Sequence, residues 1–119
     1  MSLLRIADSI YLGVIDVASA CTWYMDNLGL RQVISQADEE ECTSLAFSKR
    51  DTAVITLGPR GRPTDSATPM LYASNVEKAR DALLSRGVSV GAIEVDRQGT
   101  HYFLMRDLDG NQIEITEEP

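Results

Sequence analysis

The chain is expected to fold as an α+β protein of two tandem βαβββ modules, forming a curved, mixed eight-stranded sheet with helices outside and a concave cleft inside. Three observations carry this expectation. Asp107-Leu108-Asp109-Gly110-Asn111 is turn chemistry between two strand-like runs, because Asp and Asn fold back on their own backbone and Gly110 accepts positive φ. A polar cap, an apolar helical stripe and a closing glycine occur twice, as Asp16 to Gly29 and as Asn75 to Gly87. The halves also overlay by hand. Asp16-Val17 falls on Asn75-Val76, Ala20 on Ala79, Tyr24 on Leu83 and, after one deletion, Gly29-Leu30 on Gly87-Val88. Phe47 then falls on Met105, Asp51 on Asp109, and Ile55-Thr56-Leu57 on Ile113-Glu114-Ile115. Such a register marks a duplicated unit.

Each element follows from local pattern. Ser9 to Ile15 alternates Ile10, Leu12 and Val14 with Ser9, Tyr11 and Gly13, a strand with one apolar face. Val17, Ala20, Cys21, Tyr24 and Leu28 lie at helical spacing behind the Asp16 cap, and Gly29 stops the helix. Leu30–Ser35, Thr43–Ser48 and Thr52–Leu57 read as strands, with Asp38–Glu41 a solvated hairpin tip. The breaker-rich Gly58–Asp65 reads as a linker. Thr68–Ala73 is a strand, Asn75 caps a helix over 76–86 carrying Val76, Ala79 and Leu83, and Gly87 ends it. His101–Met105 and Gln112–Thr116 flank the acidic turn as strands. The domain is thus 1–119, with module one about 5–58, the linker about 59–67 and module two about 68–117.

A βαβββ unit leaves one sheet face without a helix. By alternation that cleft face carries Ser9, Tyr11, Ala46, Ser48, Thr56, Thr68, Met70, Tyr72, Tyr102, Leu104 and Glu114. One β-bulge would flip part of that set. Trp23 falls off the helical stripe and reads as packing on a neighbouring element or a dimer partner. His101 faces the helix side or the sheet edge.

The bulk numbers exclude some classes. At 119 residues the chain is one domain with room for a core. A net charge of −7 argues against a nucleic-acid partner, since phosphate binding needs a basic face. No apolar run reaches membrane-spanning length, so no membrane partner is expected. Cys21 and Cys42 lack disulfide-framework or metal spacing, which fits two free thiols in a cytoplasmic protein. The leading Met-Ser-Leu is assigned no function.

The motifs Gly13-Val14-Ile15-Asp16, Trp23-Tyr24, Leu28-Gly29-Leu30 and Asp107-Leu108-Asp109-Gly110-Asn111-Gln112-Ile113-Glu114-Ile115 resemble those of the vicinal oxygen chelate superfamily. That group holds glyoxalase I, extradiol dioxygenases, methylmalonyl-CoA epimerase, fosfomycin-resistance enzymes and bleomycin-resistance proteins. The resemblance covers nearly the whole chain and departs at Leu108, where the family commonly has proline. It implies a homodimer. It also implies a divalent metal such as zinc, manganese, nickel or iron, held at four positions that fall here on Ser9, Thr56, Thr68 and Glu114. Only Glu114 is a ligand type, and three neutral hydroxyls make a poor metal site.

No metal and no cofactor are therefore expected. The first functional reading is a metal-free small-molecule-binding protein that sequesters a drug or metabolite, with a cationic or aromatic organic ligand. Glu114 supplies a strong acceptor, Ser9, Thr56 and Thr68 hydrogen bonds, and Tyr11, Tyr72, Tyr102, Leu104 and Met70 an aromatic and apolar wall. The alternative is a lyase, isomerase or dioxygenase of the same superfamily, with Glu114 as metal ligand or general base. A third reading is an accessory protein whose cleft is vestigial.

Overall fold

In the computed structural model, residues 10–33, 42–47, 54–60 and 68–118 are described. They contain two helices and nine strands in two mixed sheets. The chain divides into two compact units, residues 1–67 and 68–119, each with its own sheet and helix.

The first unit runs β1 (Ile10–Val14), α1 (Val17–Leu28), β2 (Arg31–Val33), β3 (Thr43–Ala46) and β4 (Ile55–Pro59). The sheet order is β1-β4-β3-β2, with β1 parallel to β4 and the other pairs antiparallel. Asp16 caps α1 by accepting from the Ser19 amide at 3.2 Å. Gly29, at φ 71°, ends the helix in a conformation that a Cβ would strain. Strand alternation puts Leu12, Val14, Leu45, Ile55 and Leu57 on one face, all buried, and α1 buries Ala20, Cys21 and Tyr24. Trp23 meets Tyr24 edge-on, with ring centroids 5.0 Å apart.

β4 runs two residues past the expected end at Leu57. Gly58 and Pro59 pair with Gly13 and Val14 on β1. A Gly-Pro pair reads as a breaker, but here β3 has already ended its pairing at Thr43–Leu57. The missing proline N–H therefore has no ladder partner to lose on that side.

The second unit repeats the plan as β5 (Met70–Ala73), α2 (Val76–Ser85), β6 (Ser89–Val90), β7 (Glu94–Val95), β8 (His101–Arg106) and β9 (Gln112–Glu117). Its order is β5-β9-β8-β6, with β7 also on β8 and β5 parallel to β9. Asn75 caps α2 through the Lys78 amide at 3.0 Å, and Gly87 at φ 81° follows the helix. Leu71, Phe103, Met105, Ile113 and Ile115 form the buried face of the sheet, and α2 buries Val76 and Leu83. Both helices thus start and stop where the Asp16/Gly29 and Asn75/Gly87 pattern places them.

The ninth strand comes from a bulge. Val90 pairs with Met105 and Glu94 with Tyr102, so three residues (91–93) face two (103–104). One extra residue breaks the edge strand in two. Gly91 donates to the Leu104 carbonyl at 2.7 Å, and Arg80 Nε on α2 donates to the freed Gly91 carbonyl at 2.6 Å. The bulge falls on the β6–β7 edge, so β5, β8 and β9 keep the alternation that places the candidate residues.

The pairing register corrects one part of the internal overlay. Leu45 pairs with Ile55, and Met105 pairs with Ile113. Leu45, not Phe47, is thus the counterpart of Met105. Phe47 is 45% exposed while Met105 is 1% exposed. Ile55 follows Leu45 by ten positions and Ile113 follows Met105 by eight, so the first hairpin is two residues longer. Ser9, Ser48, Asp51, the Asp38–Glu41 tip and most of the expected linker lie outside the described residues.

Candidate functional site

The acidic turn positions the second sheet. Asp107 is buried, and its Oδ1 accepts from the amides of Asp109 at 2.9 Å and Asn111 at 2.8 Å. Its Oδ2 accepts from Asn111 Nδ2 at 3.0 Å. Gly110 takes φ 84°, its amide bonds the Asp107 carbonyl, and its own carbonyl accepts from the Arg106 guanidinium at 2.9 Å. This closes the β8–β9 hairpin with Phe103 opposite Ile115 and Leu104 opposite Glu114. Ile113 and Ile115 are buried on the helix side. By alternation Glu114 points the other way.

The helix-free face of this sheet is then a small grid. Glu114 sits on β9 between Met70 of β5 and Leu104 of β8, and Thr116 sits between Tyr72 and Tyr102. Met70 is 49% and Tyr72 56% exposed, while Leu104, Tyr102 and Glu114 are half-buried. Thr116 is buried, and its hydroxyl donates to Glu114 Oε2 at 2.7 Å. Thr68, just before β5, is exposed. A carboxylate framed by methionine, leucine and two phenol rings combines a charged acceptor with flat apolar surface. That is suited to holding an organic cation.

The corresponding face of the first sheet is built differently. Thr56 lies between Tyr11 of β1 and Ser44 of β3, and the Thr56 and Ser44 hydroxyls share a hydrogen bond of 3.0 Å. The Tyr11 hydroxyl donates to the Pro59 carbonyl. A Cβ on Gly58 would lie 2.5 Å from that hydroxyl and 2.7 Å from Cys42 Sγ. A side chain at 58 would therefore push Tyr11 and Cys42 aside. Gly58→Ala should cost about 1–3 kcal/mol, the usual scale of overpacking, read as a lower denaturant midpoint. An alanine variant as stable as the parent would mean that Tyr11 and Cys42 move aside without cost, so the close packing at Gly58 contributes nothing to stability.

Of the sequence candidates, Met70, Tyr72, Tyr102, Leu104 and Glu114 share one face of the second sheet. Tyr11 and Thr56 share one face of the first, and Ser9 lies outside the described residues. His101 is on the helix side of β8, its Nδ1 3.5 Å from Glu117 Oε2. Alternation had already sent it away from Glu114. Thr116 and Ser44 were missed, although each lies two residues along a strand from a residue that had been placed on the face. Cys21 and Cys42 are free, and burial pushes the Cys21 thiol up.

Among the described residues, the donors at the positions the resemblance implies fit a divalent metal poorly. Of the family's four ligand positions, Thr56 already shares its hydroxyl with Ser44, Thr68 is a neutral hydroxyl, and Glu114 has one oxygen engaged by Thr116. Among the described residues no group of three or more His, Cys, Asp or Glu side chains is placed to hold a metal ion. Two open depressions, about 680 and 480 Å³, flank α1 and contain none of the candidate residues. Among the described residues no helix is long and apolar enough to cross a membrane.

Two βαβββ units with a helix-free sheet face apiece define the class of glyoxalase-like α+β proteins. The chain matches the model of the Glyoxalase/Bleomycin resistance protein/Dioxygenase superfamily over residues 6–115, and it belongs to that superfamily. No curated protein matches the sequence. A superfamily member from Sphaerobacter thermophilus superposes with a TM-score of 0.77 at 23% identity, covering 98% of this chain and 100% of its own. An antibiotic-binding protein from a Streptomyces species gives 0.74 at 16% identity, covering 98% and 99%. A lactoylglutathione lyase from Agrobacterium tumefaciens gives 0.71 at 16%, covering 98% and 96%. At these identities the likeness is one of fold, and a fold that hosts both binding and catalysis leaves function to the site.

Proposed function

We propose that this protein is a metal-free small-molecule-binding protein that sequesters a drug or metabolite, and that its ligand is a flat aromatic cation. The observation that carries the reading is the placement of Glu114. It is half-buried on a helix-free face, with Met70 and Leu104 on the flanking strands and Tyr72 and Tyr102 one step along. The carboxylate accepts from the ligand's cationic N–H, and the ring surfaces cover its aromatic plane. The antibiotic-binding structural relative is in keeping with this use of the fold. The same reading takes the protein as a cytoplasmic homodimer. The two free thiols, Cys21 and Cys42, support the compartment, and the family resemblance supports the dimer. Sedimentation as a monomer at working concentration would count against the dimer.

The test is binding of proflavine, a flat aromatic cation, followed by its fluorescence. Glu114→Gln should weaken binding by roughly 1.5–3 kcal/mol, the scale of a charge-assisted hydrogen bond, with the far-ultraviolet circular dichroism unchanged. Glutamine keeps the shape and an acceptor for Thr116, so the fold is not at stake. No binding by the parent protein, or equal binding by the variant, sinks the reading. Elemental analysis finding near-stoichiometric zinc, manganese, nickel or iron that is lost in Glu114→Gln would turn it towards a lyase, isomerase or dioxygenase.

A further inference from the structure

We propose that Thr116 is a positioning residue for the Glu114 carboxylate, and that its hydroxyl sets which carboxylate oxygen is presented to a ligand. This deepens the binding role proposed for Glu114 and rests on it. The geometry is direct. Thr116 lies two residues beyond Glu114 on β9, so both side chains leave the same face, and Thr116 Oγ1 donates to Glu114 Oε2 at 2.7 Å. Thr116 is a buried residue of β9, with Tyr72 of β5 and Tyr102 of β8 as its register partners, while Glu114 is half-buried. A buried hydroxyl needs a hydrogen-bond partner. A carboxylate on a three-torsion side chain will otherwise sample several rotamers. The bond meets both needs, and with Oε2 engaged by Thr116 it is Oε1 that would be offered to a ligand.

The internal repeat shows that the fold does not require this pair. In the register of the parallel strands, Tyr11 pairs with Thr56 as Met70 pairs with Glu114. The first unit's equivalents of Glu114 and Thr116 are therefore Thr56 and Gly58. There Thr56 bonds Ser44 on the next strand, and the Gly58 position is crossed by Tyr11. The same βαβββ frame is built without a carboxylate or a hydroxyl at those two places. What the second unit adds is a held anion. Such a carboxylate loses less rotamer freedom when a ligand binds, so part of the ordering cost of association has already been met.

The experiment compares proflavine binding by the parent protein with Thr116→Val, Thr116→Ser, Glu114→Gln and the Thr116→Val/Glu114→Gln double variant, with thermal melts alongside. Valine keeps the β-branched shape and removes only the hydroxyl, whereas serine keeps the hydroxyl. Thr116→Val should weaken binding about threefold to tenfold, the worth of one hydrogen bond. Thr116→Ser should stay within about twofold of the parent on the same scale. In the Glu114→Gln background the valine substitution should add little, because the charge it positions has gone. If Thr116→Val binds as the parent does while Glu114→Gln binds weakly, the positioning role is wrong and the binding role of Glu114 stands. Equal losses in the valine and serine variants would also overturn it, since packing rather than the hydroxyl would then be responsible. If the parent fails to bind proflavine, or Glu114→Gln binds as well as the parent, the Glu114 reading falls and this inference with it.

Discussion

Phe103→Ala should destabilise the protein by about 3–5 kcal/mol, the range for deleting a buried aromatic ring. Phe103 is 0% exposed and pairs with Ile115 within the β8–β9 ladder, on the face it shares with the buried Met105, Ile113 and Leu71. The loss combines the transfer free energy of the ring with the cavity left behind, because a sheet held by two ladders cannot collapse into the gap. A domain of this size is stable by only about 5–15 kcal/mol, so a large share of the total is at stake. Urea unfolding should show a lower midpoint with a similar slope. Tyr72→Ala is the control. Tyr72 is 56% exposed on the opposite face, and its removal should change stability by no more than about 0.5 kcal/mol. If Tyr72→Ala were as destabilising as Phe103→Ala, Tyr72 would be packed like a core residue, and the assignment of the Glu114 face as open would be wrong.

Asp107→Ala should cost roughly 1.5–3 kcal/mol, the range for hydrogen bonds to a charged group. The Asp107 carboxylate accepts from two backbone amides and from the Asn111 side chain, and it is buried. Alanine leaves the Asp109 and Asn111 amides without that acceptor in the turn. The consequence reaches the site. A one-residue slip of β9 would carry Ile113 and Ile115 to the open face and Glu114 under α2. Burial of that charge forbids the slip, so the hairpin should fray from its turn instead. The amide of Asn111 should exchange faster with solvent, and Asp107→Asn should recover part of the loss by restoring one acceptor oxygen. Unchanged exchange at Asn111 in the alanine variant would show that the carboxylate does not hold the turn.

The elements that the sequence specifies most strongly are those governed by neighbours along the chain. Helix starts at Asp16 and Asn75, the positive-φ glycines 29, 87 and 110, and the Asp107–Asn111 turn all depend on contacts within a few residues. Alternation likewise sent Glu114, Tyr72, Tyr102 and Leu104 to one face, because period two needs no knowledge of the partner strand, and the duplication and family motifs gave the α+β class. What lay beyond reach was set by pairing between distant strands. The β6–β7 bulge arises from the count of residues opposite β8, and the two-residue offset of Phe47 from the length of the β3–β4 connection. The continuation of β4 through Gly58 and Pro59 depends on β1 alongside it, and the crowding at Gly58 comes from Tyr11, 47 positions away, and from Cys42. The Thr116–Glu114 bond lies between these cases. Their spacing was visible in the sequence, but the burial of Thr116 with β5 on one side of β9 and β8 on the other comes only with the assembled sheet, and it is there that its hydroxyl takes the carboxylate as partner.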